Sequence, residues 1–291
     1  MDLSGAYTAI VTPFSGEALD EEGLRKNIRF QIEQGMDGVV PVGTTGECPV
    51  LSPEEHERVI DIAVEEAKGK CKVIAGSGSN STKEAIRYTQ HAKDAGADAA
   101  LIVVPYYNKP SQEGLYQHYK AIAEAVDIPI VLYNVPSRTG KNLEAETTLR
   151  LSKIPNIVAV KEASCNLEQI MRILRDAPED FIVLSGEDSW TYPMMALGGH
   201  GVISVASNIA PAKVANMVHE FFDGKLETSK AIHYELLDLF KVVFVDTNPC
   251  PVKYALDKMG FAAGAPRLPL VEMTNENKAK MDVVLSSLDL I

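Results

Sequence analysis

The sequence alternates eight times between a short apolar segment and a longer amphipathic one, from about residue 6 to residue 222. The short segments, such as Ala99–Val104 and Ile130–Val135, are near-continuous apolar runs, which is typical of parallel strands covered on both faces. The longer segments repeat apolar residues at helical spacing, as Leu24, Ile28 and Ile32 do. Eight such strand–helix units in about 220 residues predict an α/β fold, a (β/α)8 TIM barrel.

The alternation ends at Gly224-Lys225. Beyond this point the sequence predicts helices without strands, at Thr228–Val245, Pro251–Met259 and Asn275–Ser287. We therefore expect two domains: a barrel that carries the active site in residues 1–224 and a small C-terminal helical domain in residues 225–291.

The composition narrows the classes of partner. The chain is 46% hydrophobic and 23% charged, which is enough apolar material for a large core. Its net charge of -12 argues against nucleic acid or an anionic membrane as the main partner. No apolar run reaches the ~18 residues of a membrane span. The six histidines form no metal-binding pattern, so we expect no metal.

Two further features predict a cytoplasmic protein. The first residues, Met1–Gly5, lack the basic and apolar segments of a signal peptide. The cysteines form no C-x-x-C pair and are expected to be reduced thiols: Cys48, Cys71, Cys165 and Cys250.

A lysine ends one of the predicted buried strands. The apolar run Ile157–Val160 leads directly into Lys161 and Glu162. Lysine is rarely buried, and poor hydration favours its neutral amine, which is the nucleophile that Schiff-base catalysis requires. The alternative is a strand-end lysine whose ammonium reaches solvent along its aliphatic chain. This strand alone leaves both interpretations open.

Catalytic residues of a TIM barrel lie at the C-terminal ends of its strands. Several such ends here carry hydroxyl, phenol, guanidinium or carboxylate groups: Gly43-Thr44-Thr45-Gly46-Glu47, Tyr106-Tyr107, Tyr133-Asn134-Val135-Pro136-Ser137-Arg138-Thr139-Gly140, Gly186-Glu187-Asp188 and Ile203-Ser204. Tyr133 is one strand away from Lys161, where a general acid/base is needed. Arg138 can hold a carboxylate with two parallel hydrogen bonds. The set predicts enamine chemistry on a 2-oxo acid.

Each of these segments also has a purely structural interpretation. The segment Gly43–Gly46 is compatible with an ordinary turn, and Tyr106-Tyr107 with core or interface aromatics. Arg138 is compatible with a surface ion pair, and Glu187-Asp188 with the cap of the next helix. The coincidence of so many reactive groups at one end of a barrel favours the catalytic interpretation.

Three of these motifs resemble those of the dihydrodipicolinate synthase family. They are Gly43–Glu47, Tyr133–Gly140 and the strand that ends in Lys161-Glu162. The resemblance runs from Gly5 to about Pro269 and includes Asn248-Pro249-Cys250-Pro251-Val252-Lys253. The lysine strand is shared by the wider superfamily of pyruvate-dependent aldolases.

The resemblance implies a catalytic group and a substrate-binding group. Lys161 would form the Schiff base with pyruvate, and Tyr133, Thr44 and Tyr107 would relay protons, with Tyr107 reaching in from a neighbouring subunit. The implied substrate-binding residues are Thr45 for the pyruvate carboxylate, Arg138 for L-aspartate 4-semialdehyde, Gly186, and Ile203 through its backbone. The resemblance also implies a homotetramer built as a dimer of dimers and no cofactor other than the covalent pyruvate imine on Lys161.

Some members of the family are inhibited by L-lysine. The matching positions are His56, Asn80, Glu84 and Tyr106. Three nearby residues depart from the lysine-sensitive pattern, namely Cys48, Pro49 and Pro53. We therefore expect weak to moderate inhibition by lysine.

The expected activity is 4-hydroxy-tetrahydrodipicolinate synthesis, a lyase reaction and the first committed step of lysine and diaminopimelate biosynthesis. Two alternatives stand beside it. One is a sister Schiff-base lyase acting on a sugar acid or 4-hydroxy-2-oxoglutarate, which Arg138 argues against, because sugar-acid lyases usually lack this arginine. The other is a catalytically silent barrel, since fold alone does not fix function.

Overall fold

A computed structural model describes residues 2–291. Met1, the first residue of the expected barrel domain and N-terminal segment, lies outside the described residues. Within residues 2–291, eight parallel strands form a closed barrel in the order β1-β8-β7-β6-β5-β4-β3-β2. They are β1 Gly5–Ala9, β2 Gly38–Val40, β3 Lys72–Gly76, β4 Ala99–Val103, β5 Ile130–Asn134, β6 Ile157–Glu162, β7 Ile182–Ser185 and β8 Gly201–Ser204. The predicted (β/α)8 barrel is confirmed.

The strands are buried on both faces, as their continuous apolar pattern predicts. Every residue of β1, β5 and β8 is buried. The register pairs β5 with β6 so that Tyr133 lies beside Lys161, and Asn134 beside Glu162. Two side chains predicted to be catalytic therefore occupy neighbouring positions at the C-terminal ends of adjacent strands.

Helices follow the strands. They are α1 Glu21–Glu33, α2 Pro53–Ala67, α3 Thr82–Ala95, α4 Gln112–Ala125, α5 Ala145–Leu151, α6 Leu167–Asp176, α7 Thr191–Ala196, α8 Pro211–Phe222, α9 Leu226–Glu235, α10 Leu237–Val242, α11 Cys250–Lys258 and α12 Asn275–Ser287. The segment Ser52-Pro53-Glu54-Glu55 has the sequence pattern of a capping box, and it starts α2: the Glu55 backbone N–H donates to the Ser52 hydroxyl, and the Ser52 N–H donates to the Glu55 carboxylate.

The apolar run Gly38–Gly43 predicts a strand, but β2 ends at Val40, because Val42 adopts a left-handed φ of 49° that a strand excludes. After β5, the segment Pro136–Thr139 forms one helical turn that Gly140 ends with a φ of 68°.

The predicted helix Thr228–Val245 is two helices, α9 and α10. Leu236, at the junction, has φ of -85° and ψ of -5°, and its side chain is fully buried. The segment Thr228–Val245 contains no proline or glycine, so the sequence pattern gives no sign of the break. The antiparallel pair Phe14–Ser15 and Ala18–Leu19 was also not expected from the sequence.

The chain divides into two compact units. One consists of Ile74–Ile203 with the N-terminal residues to Gly5, and the other of Ala6–Val73 with Ser204–Ile291. The boundary between a barrel domain and a helical domain after residue 224 remains our proposal. The start of α9 at Leu226 supports it.

No helix of the described residues 2–291 is long and apolar enough to cross a membrane. The four cysteines are free, with Cys250 buried and Cys165 exposed.

Candidate active site

Lys161 is the fifth residue of β6 and is 5% exposed. Its ammonium nitrogen lies 4.3 Å from the centroid of the Tyr133 ring. Tyr133 is itself 6% exposed, so the contact is largely shielded from water. The structure thus brings together the predicted nucleophile and the predicted general acid/base.

Gly186, directly after β7, leaves room for the lysine side chain. A Cβ atom at this position would lie 3.1 Å from both Cγ and Cε of Lys161 and 2.7 Å from the Cβ of Ala163. The Gly186 backbone N–H donates to the Glu162 carbonyl oxygen at 2.8 Å. A residue with a side chain at position 186 would therefore push against the predicted nucleophile.

Glu187 is a carboxyl group close enough to Lys161 to interact with it electrostatically. Burial, with a smaller contribution from the Asp188 charge, raises the pKa of Glu187 to about 7, although the Ser189 hydroxyl and Lys161 oppose the rise. Its side chain makes no helix-capping hydrogen bond, so the simple cap interpretation does not account for it. In the sequence, only its position directly after a predicted barrel strand indicated that Glu187 would lie near the active site.

Glu162 forms a hydrogen-bond network at the C-terminal ends of β5 and β6. The sequence pattern did not predict a role for it. It is 1% exposed and accepts hydrogen bonds from Asn134 Nδ2 at 3.1 Å, Gln169 Nε2 at 3.1 Å and the Ser164 backbone N–H at 2.7 Å. Burial raises the pKa of Glu162, and these donors oppose the rise. The network ties the end of β5 to the end of β6, where Tyr133 and Lys161 lie.

Tyr107 and Arg138 are surface residues. Tyr107 is 89% exposed and has a left-handed φ of 68°, so its ring makes few contacts within its own chain. Arg138 is exposed on the helical turn Pro136–Thr139, and no carboxylate of residues 2–291 forms an ion pair with it. Its guanidinium is therefore available to a ligand, and the alternative of a surface ion pair is not observed among the described residues.

The segment Gly43–Glu47 is a hydrogen-bonded turn. The Gly46 N–H donates to the Gly43 carbonyl oxygen and the Glu47 N–H to the Thr44 carbonyl oxygen, each at 3.1 Å. Thr44 is partly exposed, whereas Thr45 is 2% exposed. The turn buries a hydroxyl and a carboxylate two residues apart, those of Thr45 and Glu47.

The buried carboxylate of this turn belongs to Glu47, which pairs with a buried lysine. Lys253 Nζ lies 2.6 Å from Glu47 Oε1, and both side chains are at most 1% exposed. The Arg267 backbone N–H donates to Glu47 Oε2 at 2.9 Å, and the Lys253 ammonium lies 4.3 Å from the Phe14 ring centroid. Burial lowers the pKa of Lys253, and Glu47 opposes that effect. Glu47 and Lys253 each belong to a motif quoted above, but nothing in the sequence pattern predicts that they pair.

The remaining predicted residues are distributed as follows. Ile203 is buried in β8, and His56 is buried on α2. The Asn80 carbonyl oxygen accepts from Asn108 Nδ2 at 2.8 Å, which links Asn80 to the segment after β4 that contains Tyr106, itself 38% exposed. Glu84 accepts a hydrogen bond from the Ser79 hydroxyl. Among residues 2–291, no group of histidine, cysteine, aspartate or glutamate side chains is arranged to hold a metal ion.

Residues 2–288 match the model of the dihydrodipicolinate synthetase family. The chain belongs to this family. A family relative from Syntrophus aciditrophicus, a 4-hydroxy-tetrahydrodipicolinate synthase, is 53% identical over 289 residues, which are 99% of each chain. The crystal structure of dihydrodipicolinate synthase from Aquifex aeolicus has a TM-score of 0.97 at 49% identity, again covering 99% of each chain. The family resemblance of the motifs is confirmed.

Two solved members of the dihydrodipicolinate synthetase family contain small molecules. The chloride-inhibited enzyme from Acinetobacter baumannii is complexed with pyruvate; it is 42% identical, with a TM-score of 0.97 and complete coverage of both chains (100%). The enzyme from Cyanidioschyzon merolae has lysine bound; it is 42% identical, with a TM-score of 0.96 and 99% coverage of each chain.

The pKa of Glu187 predicts a pH-dependent stability. The folded chain keeps the proton up to about pH 7, whereas the ordinary carboxyl releases it near 4.5, so burial of Glu187 lowers stability as the pH rises between these values. We expect Glu187→Gln to raise the melting temperature relative to the wild type at about pH 8 and to leave it nearly unchanged at about pH 5.

Differential scanning calorimetry of both proteins at the two pH values measures this effect. Glu179→Gln, at an exposed position, is the matched control and should show no such pH-dependent gain. An equal shift for Glu187→Gln at both pH values would contradict the prediction.

Proposed function

We propose that the protein condenses pyruvate with L-aspartate 4-semialdehyde to form 4-hydroxy-tetrahydrodipicolinate. The observation that carries this proposal is the shielded Lys161 amine above the Tyr133 ring, at 4.3 Å from its centroid. It is reinforced by 53% identity, over 99% of each chain, to a relative of that name. The enzyme is a lyase with a class I aldolase-like mechanism. Its reaction is the first committed step of lysine and diaminopimelate biosynthesis.

The reaction begins with attack of the Lys161 amine on the keto carbon of pyruvate. The carbinolamine loses water to give an imine, and the Tyr133 hydroxyl carries the protons that this step requires. Loss of a methyl proton converts the imine to an enamine, whose carbon forms the new bond to the aldehyde of the second substrate. The amino group of that substrate then attacks the imine carbon, which closes the ring and releases the Lys161 amine.

Other predicted residues bind the substrates. Thr45 donates a hydrogen bond to the pyruvate carboxylate, and Thr44 joins Tyr133 in the proton relay. Gly186 and Ile203 line the substrate pocket with their backbone. The exposed Arg138, free of any ion pair within residues 2–291, binds the carboxylate of the semialdehyde. No further cofactor is needed, because the lysine imine itself stabilises the carbanion.

Tyr107 completes the relay from a second copy of the chain. Its 89% exposure supports this role, because such an exposed aromatic side chain is available to another subunit. We accordingly propose a homotetramer, a dimer of dimers in which paired subunits exchange this tyrosine. The free cysteines and the biosynthetic reaction support a cytoplasmic location.

The imine is tested by reduction with sodium borohydride in the presence of pyruvate. We expect a covalent adduct on Lys161, located by mass spectrometry of proteolytic fragments, and none in Lys161→Ala. Lys153→Ala, at an exposed lysine, is the control and should form the adduct normally. An unmodified Lys161 after reduction would show that the barrel is silent toward pyruvate.

Arg138→Ala tests the second substrate. One lost charge-assisted hydrogen-bonding contact is worth about 1.5–3 kcal/mol, so kcat/KM for the semialdehyde should fall about 10- to 150-fold, with KM raised and turnover lowered. Trapping of the pyruvate imine should remain largely unaffected. Arg172→Ala, at another exposed arginine, serves as the control. Pyruvate release from N-acetylneuraminate by the wild type, without condensation activity, would instead assign it to the sister lyases.

We propose that His56, Asn80, Glu84 and Tyr106 form a site for L-lysine. The hydrogen bond between Asn80 and the segment that contains Tyr106 supports this grouping in part. We expect L-lysine at millimolar concentrations to inhibit condensation partially, D-lysine to inhibit it less, and Glu84→Gln to weaken the effect. Steady-state rates that stay flat up to high millimolar L-lysine would exclude the site.

A further inference from the structure

A buried hydrogen bond joins the turn after β2 to the segment before α11. Asn248 Nδ2 donates to Thr45 Oγ1 at 2.9 Å. Both residues are at most 3% exposed. The two positions are separated by 203 residues, so the contact is made only by the folded chain.

The direction of this bond matters for the threonine. A hydroxyl group has one hydrogen to donate and two lone pairs that accept. Because Thr45 Oγ1 accepts from Asn248, its own hydrogen remains to be donated, and no acceptor within residues 2–291 takes it. A hydroxyl that already accepts a hydrogen bond is polarised and becomes a stronger donor. The contact therefore prepares Thr45 to donate to an anionic ligand.

Within residues 2–291, only the donor group of the Asn248 side chain has a hydrogen-bond partner. Its Oδ1 atom is buried without a hydrogen-bond partner among the described residues. Such an unpaired buried acceptor is costly and calls for a compensating role. The bond from Nδ2 to Thr45 is the interaction that the buried amide side chain makes.

The segment that contains Asn248 makes a second contact with the turn that contains Thr45. Lys253, five residues after Asn248, forms the buried ion pair with Glu47, two residues after Thr45. The first turn of α11 connects the two contacts, since the Lys253 N–H donates to the Pro249 carbonyl oxygen at 2.9 Å. Two attachments between two short segments fix both the position and the rotation of the turn.

We propose that Asn248 is a positioning residue for the carboxylate of the 2-oxo acid, acting through the Thr45 hydroxyl. This inference rests on the proposed function, in which Thr45 binds that carboxylate. The Asn248 amide orients the hydroxyl so that its hydrogen points to the substrate, and the Glu47–Lys253 pair keeps the turn in place. Asn248 contributes to recognition of the carboxylate and not to the chemistry of imine formation.

The first test separates carboxylate recognition from imine formation. Borohydride trapping on Lys161 is measured with pyruvate and with acetone, a ketone that lacks the carboxylate. For Asn248→Ala we expect KM for pyruvate to rise about tenfold, the effect of one hydrogen bond, while trapping of acetone is unchanged. Thr247→Ala, at the adjacent exposed position, is the control and should leave both rates unchanged.

A second variant reverses the direction of the hydrogen bond. In Asn248→Asp the carboxylate accepts the Thr45 hydrogen and turns it away from the substrate, so KM for pyruvate should rise more than in Asn248→Ala. In Thr45→Val the hydroxyl is absent, and adding Asn248→Ala should then raise KM no further. Circular dichroism and melting temperatures establish that each variant is folded.

Several outcomes would overturn the proposal. An equal loss of borohydride trapping with acetone and with pyruvate would show that Asn248 has a purely structural role. A selective rise in KM for the semialdehyde would place Asn248 at the second substrate, and additive effects in the double variant would separate it from Thr45. Failure of the wild type to form any pyruvate adduct would refute the proposed function first, whereas a wild-type adduct with unchanged variants refutes only this inference.

Discussion

The parallel pairing of β5 with β6 is the constraint on which the reactive end of the barrel depends. It sets Tyr133 beside Lys161 and Asn134 beside Glu162. The side chains of a strand alternate between its two faces, so the first pair and the second pair point in opposite directions. One pair consists of the proposed nucleophile and the proposed general acid/base, and the other belongs to the buried hydrogen-bond network that joins the two strand ends. A slip of one residue would exchange the two faces and lose both arrangements.

Burying an ionisable group costs free energy unless its polar atoms find partners. The partners of the buried ionisable groups in this protein differ from site to site. Glu162 is surrounded by neutral donors, which satisfy its oxygens without a counter-charge. Glu47 is instead matched by Lys253 at 2.6 Å. Lys161 lies beside an aromatic ring and forms no ion pair within residues 2–291. The surroundings of the proposed nucleophile therefore differ from those of the two buried carboxylates.

Most of the barrel was predictable because its signals are local. Apolar runs such as Ile130–Asn134 define strands, and the Ser52 capping box defines the start of α2. The grouping of Lys161 with Tyr133 followed from the order of neighbouring strands. The Asn248–Thr45 bond and the Glu47–Lys253 pair did not follow, because their partners are more than 200 residues apart and neither periodicity nor spacing encodes such contacts. The break at Leu236 was not predicted, because no proline or glycine marks it in the sequence.

The carboxyl groups near Lys161 also determine the chemistry of a nearby thiol. Burial raises the pKa of Cys165, and the charges of Glu187 and Glu162 raise it further. Oxidants and electrophiles react with the thiolate, so a thiol held in its protonated form reacts slowly even where it is exposed. The carboxyl groups near Lys161 thus lower the reactivity of a thiol that lies four residues after the proposed nucleophile.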